Sequence, residues 1–541
     1  MSNTIRGLLL RYITGPTMKL NLTWLVLVSV LTLKLSGAWA AQVTAREREA
    51  LQWETIEWTL DNSTWEGNPF DVEATVAFEH AESGERHVNG MFHDGGKMWK
   101  FRFTGTRPGA WNFRSSSEDL DLNGIEGRVN VVPNPDGVGF MAPDGSKWCR
   151  QVGVEGHKQA FVPQLVMYTD DLRDLRQNPE RVDRDIRNFL GRHGFTGLHV
   201  PSIAGRWFDI TSGPQVTKEM QNPDPGTFEV LEGLVSRVHK AGGVVHIWPW
   251  GDRQRRWTPT ELQGGANGPV DRRLQRYIAA RLGPMPGWSM GYGFDLQEWA
   301  SGEVVETWHD YVHSHMGWFH FLGGRAGGPT RGRDHSAHVD FNRPLDYAGY
   351  QHWQPGYEVY VAALETIPGK PAMSEDRFRI RGKYPNKDYT EELTRRGLYD
   401  STMAGGVANI WGYLQKPDGG YESGGMSFDY PHPEWIKTYS TFFFGRGRFV
   451  AQMERANELT DGCCLKASGG AHYVFCKEDA DSVRVDLSGA PTALPAVAVD
   501  TLSPYKEIPL GELPAREQIV DLPRESDWAI AVGTAWDSIA P

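Results

Sequence analysis

Cysteine is scarce in this chain: four among 541 residues, at Cys149, Cys463, Cys464 and Cys476. That excludes a disulfide-stapled scaffold, and the spacing fits no zinc-binding pattern. A basic excess is missing too. With 56 Lys and Arg against 68 Asp and Glu, the net charge is −12, spread along the chain. There is thus no electrostatic reason to bind nucleic acid or an anionic membrane surface. Long apolar runs are absent beyond the N-terminus, and the one there, residues 25–33, falls short of the roughly 20 residues that span a bilayer. The glycine-rich segment 323–328 lacks the lysine and the strand–turn–helix setting of a phosphate loop. Neither an internal repeat nor a long disordered linker is present.

What is abundant is tryptophan. Its 21 copies exceed what packing alone predicts. Many will be core residues, since Trp is mostly buried, but exposed indoles also stack on the apolar faces of sugar rings. At this length two or three domains are expected, and a hydrophobic fraction of 40% suffices for substantial cores.

The N-terminus reads as a targeting signal. Arg6, Arg11 and Lys19 precede the apolar run, and Ala38-Trp39-Ala40 has the small-x-small form of a signal-peptidase site. Cleavage after Ala40 is expected, giving a periplasmic or extracellular protein with no remaining membrane segment. Met18 stands where a signal peptide more typically begins, so the first 17 residues read as a start-site artefact. In an exported chain, Cys464 and Cys476 are candidates to bridge the hairpin formed by residues 465–475.

Beyond the signal, three textures follow. Residues 45–136 carry short alternating strands, such as 53–58, 72–78, 98–103 and 109–113, separated by Gly, Asn, Asp and Pro, which predicts a β-sandwich. In residues 137–450, apolar runs at 161–167, 195–200, 243–248, 288–292, 318–322, 345–349, 371–374 and 406–411 alternate with amphipathic helical patterns. That alternation predicts an α/β domain, a (β/α)8 TIM barrel. Residues 451–541 return to alternation and predict a small C-terminal all-β domain.

Two segments carry the chemistry. GWSMGYGFDLQEW (287–299) and KPAMSEDRF (370–378) each place a glutamate just past a buried strand. Barrel active sites form from the loops after strand C-termini, so Glu298 and Glu375 are expected on one face. Two carboxylates in one cleft are the minimal apparatus for hydrolysing a glycosidic bond, and they require no cofactor. Asp295 is a competing acid, Arg377 or His352 can hold Glu375 ionised, and apolar Trp299 can help keep Glu298 protonated. Other strand ends supply candidate sugar contacts: His199, Arg206 and Trp207 after strand 2, Trp248, Trp250 and Asp252 after strand 3, Tyr347, Gln351 and His352 after strand 6, and Trp411 at strand 8.

On these motifs the chain resembles the clan of retaining glycoside hydrolases built on (β/α)8 barrels, with its cellulase-like and apiosidase-like members nearest. The resemblance implies Glu298 as acid/base after strand 4, Glu375 as nucleophile after strand 7, and Trp411 as a platform under the sugar. Many members carry Asn directly before the acid/base, whereas this chain has Gln297. The segments NPFDV (68–72) and HDGG (93–96) resemble a β-sandwich family that precedes such barrels. The implied substrate is a β-linked plant or algal polysaccharide or its oligosaccharides. The basic run 253–256, with Arg331 and Arg333, admits a sulfated or uronic sugar, or is solvated charge.

Two other classes stay open. One is a non-catalytic carbohydrate-binding or adhesion protein. The other is a metal-dependent barrel hydrolase using His199, His246, His320, His338 or His352, or the spacing His335-x-x-His338-x-Asp340. The sequence does not set the oligomeric state.

Overall fold

The computed structural model describes residues 46–168, 171–325, 335–352, 355–378, 390–412 and 430–533, and the segment expected to be the signal peptide lies outside them. The first layer is the predicted sandwich. A five-stranded sheet (Glu47–Leu51, Glu126–Val132, Gly109–Ser117, Ala74–His80, Arg86–Gly90) faces a three-stranded one (Thr55–Asp61, Met98–Thr104, Phe92–His93). Strict alternation along Ala74–His80 buries Ala74, Val76 and Phe78. These meet Trp58, stacked on Phe101 at 4.8 Å, and Phe103, Trp111 and Phe113 in one core.

Eight parallel strands follow: β1 Gln164–Met167, β2 Gly197–Val200, β3 Val244–Ile247, β4 Trp288–Gly291, β5 Leu322–Gly323, β6 Ala348–Tyr350, β7 Ala372–Phe378 and β8 Ala408–Trp411. They pair in the order β5-β4-β3-β2-β1-β8-β7-β6, closing the sheet except between β5 and β6. A helix stands after each: α1 Pro179–Ile186 (behind a shorter one, Leu172–Gln177), α2 Pro225–Lys240, α3 Pro269–Leu282, α4 Gly302–His315, α5 His335–Asn342, α6 Tyr357–Thr366, α7 Glu391–Met403 and α8 Pro433–Ser440. This is the predicted (β/α)8 barrel. Alternation sorts its strands: Leu198, Val200, Val245 and Ile247 face the helices, while Leu165, Val244, Trp248, Met373 and Ile410 fill the interior.

Residues 138–160 do more than the sequence indicated. Three short antiparallel strands, Val138–Asp144, Lys147–Val152 and His157–Ala160, plug the N-terminal end of the barrel. Trp148 sits 4.4 Å from the Phe321 ring and donates its indole N–H to the Ala372 carbonyl, 2.9 Å away at the start of β7.

The C-terminal domain is a six-stranded sheet over residues 453–533. Here the expected Cys464–Cys476 bridge is corrected, since all four cysteines are free. The register sets Cys463, not Cys464, opposite Cys476. Neighbouring residues on a strand point to opposite faces, so Cys464 enters the domain's own core while Cys463 and Cys476 turn towards the barrel.

Candidate active site

The barrel mouth is built around Glu375. It follows Met373 on the inward face of β7 and is 0% exposed. There is room for its carboxyl because β4 and β6 carry glycine beside it: a Cβ on Gly291 would lie 3.0 Å, and one on Gly349 3.2 Å, from Oε1. Both oxygens accept hydrogen bonds. The Trp248 indole donates to Oε2 at 3.0 Å, and the Tyr347 hydroxyl donates to Oε1 at 2.5 Å. His246, one layer deeper, brings Nε2 to 3.9 Å from Oε1 while its Nδ1 bonds the Ser289 hydroxyl at 2.9 Å.

The electrostatics follow from burial. Desolvation pushes the Glu375 carboxyl up to about 7, against the Tyr347 and Trp248 hydrogen bonds and the Arg325 charge, which pull it down. The same burial pushes His246 down to about 3, so that imidazole is neutral at ordinary pH. Glu375 therefore titrates where a catalytic group does its work.

The β4 segment supplies further carboxylates. Asp295 adopts the left-handed region (φ 53°) at the head of a short turn, Leu296–Glu298. The turn buries Leu296 and leaves Gln297 and Glu298 exposed. Arg325, just after β5, links this turn to β7. Its guanidinium pairs with the Asp295 carboxylate, reaches the Glu375 carbonyl at 3.4 Å, and lies against the rings of Trp248 and Phe294 at 5.7 and 5.3 Å.

The structure thus gathers Glu375, Trp248, Tyr347 and, through Arg325, Asp295. His199 joins them on β2, its ring 4.5 Å from Trp248. Glu298 stands at the same end of the barrel on the exposed side of its turn. Gln351 and His352 are half-buried just past β6. Trp299 is also half-buried and donates to the Phe294 carbonyl at 3.2 Å, packing on Tyr292. The Arg377 side chain lies outside the described residues, as do those of His335 and His338.

Several expected sugar contacts are placed elsewhere. Trp411 follows inward-facing Ile410, so alternation turns it out of the barrel. There it is fully buried against Gly397 of α7 and bonds Gln164, which is not the setting of a platform in the mouth. Trp207 and Trp250 are likewise buried in the layer between strands and helices. Arg206 is half-buried beside them. Asp252 caps its own loop, accepting from the Arg255 N–H at 2.7 Å and pairing with that guanidinium at 3.1 Å. Arg256 pairs with Glu261, so these two members of the basic run are already neutralised. Sequence reasoning missed Arg325, although it is the first charged residue after the apolar run of strand 5. Of the histidines considered for a metal, His320 is bound to the Gly283 and Trp288 carbonyls and stacked on Trp288, a packing role.

Comparison with known proteins agrees with this architecture. Residues 49–118 match the family described as domain of unknown function DUF5060. No curated protein sequence matches the chain. Among solved structures, a provisionally named glycoside hydrolase from Bacteroides vulgatus aligns over 90% of this chain and 99% of its own, with a TM-score of 0.69 at 15% identity. A glycoside hydrolase family 5 protein from the same organism covers 74% of this chain and 95% of its own, at TM-score 0.53 and 14% identity. A third structure, named glycoside hydrolase, covers 74% and 97%, at TM-score 0.51 and 13% identity. The chain therefore has the fold of glycoside hydrolases: a nearly closed eight-stranded parallel barrel behind an N-terminal DUF5060 domain.

Proposed function

We propose that this chain is an exported retaining glycoside hydrolase acting on β-linked plant or algal polysaccharide or its oligosaccharides. The observation that carries the reading is the setting of Glu375, a carboxyl at the catalytic end of a barrel strand with a hydrogen-bond donor on each oxygen. Ionised, it attacks the anomeric carbon to form a glycosyl-enzyme ester. Trp248 and Tyr347 fix the direction of its lone pairs, and the strand glycines keep its path clear. Glu298 is the acid/base. Exposed on its turn, it can reach a leaving oxygen, donate the proton, and later take one from the attacking water. Asp295 is the alternative acid, but its carboxylate is already engaged by Arg325. His199, Trp248 and Arg325 form the wall of the sugar subsite. Export rests on the signal sequence, and N-terminal sequencing of the mature protein should begin at Ala41.

The test is product release from a panel of plant and algal polysaccharides and aryl glycosides, with Glu375→Gln alongside. Wild-type turnover that vanishes in the variant, with the β-anomer as first product by NMR, is the expected result. Inversion at the anomeric centre would overturn the double displacement, and full activity of Glu375→Gln would overturn the assignment of the nucleophile. Azide separates the acids. With an activated aryl glycoside, a variant lacking the acid/base yields a β-glycosyl azide, so Glu298→Ala and Asp295→Ala identify which residue serves.

A further inference from the structure

At the opposite end of the barrel, three side chains converge that the hydrolytic reading does not use. His309 and His313 stand one turn apart on α4, so their rings project from the same face, with centroids 4.5 Å apart. Asp346, two residues before β6, meets both: Oδ1 is 3.3 Å from His309 Nε2 and Oδ2 is 2.8 Å from His313 Nε2. One nitrogen or oxygen from each residue lies within 4.8 Å of the other two. All three side chains are mostly buried, at 12%, 23% and 15% exposed.

We propose that His309, His313 and Asp346 form a divalent transition-metal site, with zinc the best-matched ion. Two imidazoles and one carboxylate make a borderline-soft N2O set, and water can take the fourth position. Zn–N and Zn–O bonds of about 2.0–2.2 Å place ligand atoms some 3–3.5 Å apart. The two His–Asp contacts are near that, at 3.3 and 2.8 Å, and one ligand atom from each residue falls within 4.8 Å of the others. The surrounding atoms prepare the ligands. Asp310 Oδ1 lies 2.9 Å from His309 Nδ1, an arrangement that places the proton on Nδ1 and the lone pair on Nε2, facing the site. The Leu322 N–H donates to Asp346 Oδ2 at 2.8 Å and fixes the carboxylate.

The position gives the ion a structural role. Leu322 opens β5 and Asp346 leads into β6, the two strands that do not pair with each other. The contacts there are the Asp346 N–H to the Leu322 carbonyl at 2.9 Å and the return bond to the carboxylate. A metal held by Asp346 and two residues of α4 clamps this seam from the N-terminal end, away from Glu375.

The test is titration of chelator-treated full chain with Zn2+ by calorimetry and with Co2+ by visible absorption. One saturable site per chain is expected, with the ligand-field spectrum of four- or five-coordinate cobalt and a raised unfolding temperature. The His309→Gln/His313→Gln double variant removes two ligands from the helix face but leaves Asp346 on its backbone partner. It should bind at least about 100-fold more weakly, since outer-shell changes alone cost 10–100-fold. Absence of saturable binding, or binding undiminished in a double variant of unchanged circular dichroism, would overturn the site. Those outcomes would leave an ion-pair network between Asp346 and protonated histidines.

Discussion

At the residue scale, Glu375 couples function to stability with a definite sign. Its carboxyl titrates near 7 when folded and near 4.5 when exposed, because burial disfavours the charge. Between those values the folded state binds the extra proton, so this group makes stability fall as pH rises from 4.5 to 7 and level off above. Glu375→Gln should abolish turnover and also remove that slope, gaining about 3 kcal/mol at pH 8 relative to wild type. Urea unfolding of both proteins across pH 4–8 measures it, and parallel curves would show that the carboxyl is not buried in solution. A nucleophile must be ionised, so kcat/KM should rise through pH 7. Tyr347→Phe removes the donor to Oε1 and should lower kcat by about 10²-fold while moving that limb to higher pH. A loss without the shift would place Tyr347 on the substrate instead of on Glu375.

At the scale of elements, a buried ionic cluster joins the sandwich to the barrel. Glu232 of α2 receives Arg281 of α3 at 2.5 Å and Arg102 of the sandwich at 2.8 Å, and Arg281 also meets Asp94 at 2.9 Å. Burial opposes the Glu232 charge, but the two guanidinium groups outweigh it and hold the carboxyl below its ordinary value. Its contribution is therefore present at neutral pH and lost on acidification. Glu232→Gln leaves two buried arginines short of a counter-charge and should cost about 3–5 kcal/mol, read by chemical denaturation at pH 7. Trp148→Ala opens the plug under the barrel and should cost a similar 3–5 kcal/mol. The Trp148 ring also lies 5.3 Å from that of Tyr347, the donor to Glu375, so kcat of the folded fraction should fall as well.

At the scale of the whole molecule, the flanking domains are built into the barrel. Trp318 stacks on His87 at 4.8 Å and donates to the Thr104 carbonyl at 3.0 Å, so the segment before β5 serves the sandwich interface. On the other side Arg395 of α7 pairs with Asp527 at 2.6 Å, both almost fully buried, and Trp435 of α8 donates to the Leu502 carbonyl at 2.9 Å. Removal of residues 453–541 should strand Arg395 and lower the unfolding temperature by on the order of 10 °C. Calorimetry of the intact chain should show one cooperative transition; separate transitions would mean that these contacts do not couple the domains.

The division between sequence and structure falls along range. Alternation of two and of 3.6 residues is a local property, and it was enough to read a β-sandwich, the eight strands in order, most of their helices and a terminal β-domain, but not α5, in the segment 325–344, which reads as a loop. Glu375 was legible for the same reason, as an acidic residue placed just past an apolar strand run. Packing across the molecule decided the rest. Trp411 faced a helix and not the mouth, because the inward face of a strand is fixed by register, which one residue's offset reverses. Trp207, on the 3-10 turn after β2, and Trp250, in the loop after β3, were drawn into the layer between strands and helices. Cys463 replaced Cys464 opposite Cys476 by the same rule of register. Arg325, His246 and the seam cluster of His309, His313 and Asp346 draw partners from strands and helices tens of residues apart. Local pattern determines which elements form; which side chains share a site depends on barrel closure and register, set only when all the strands pair.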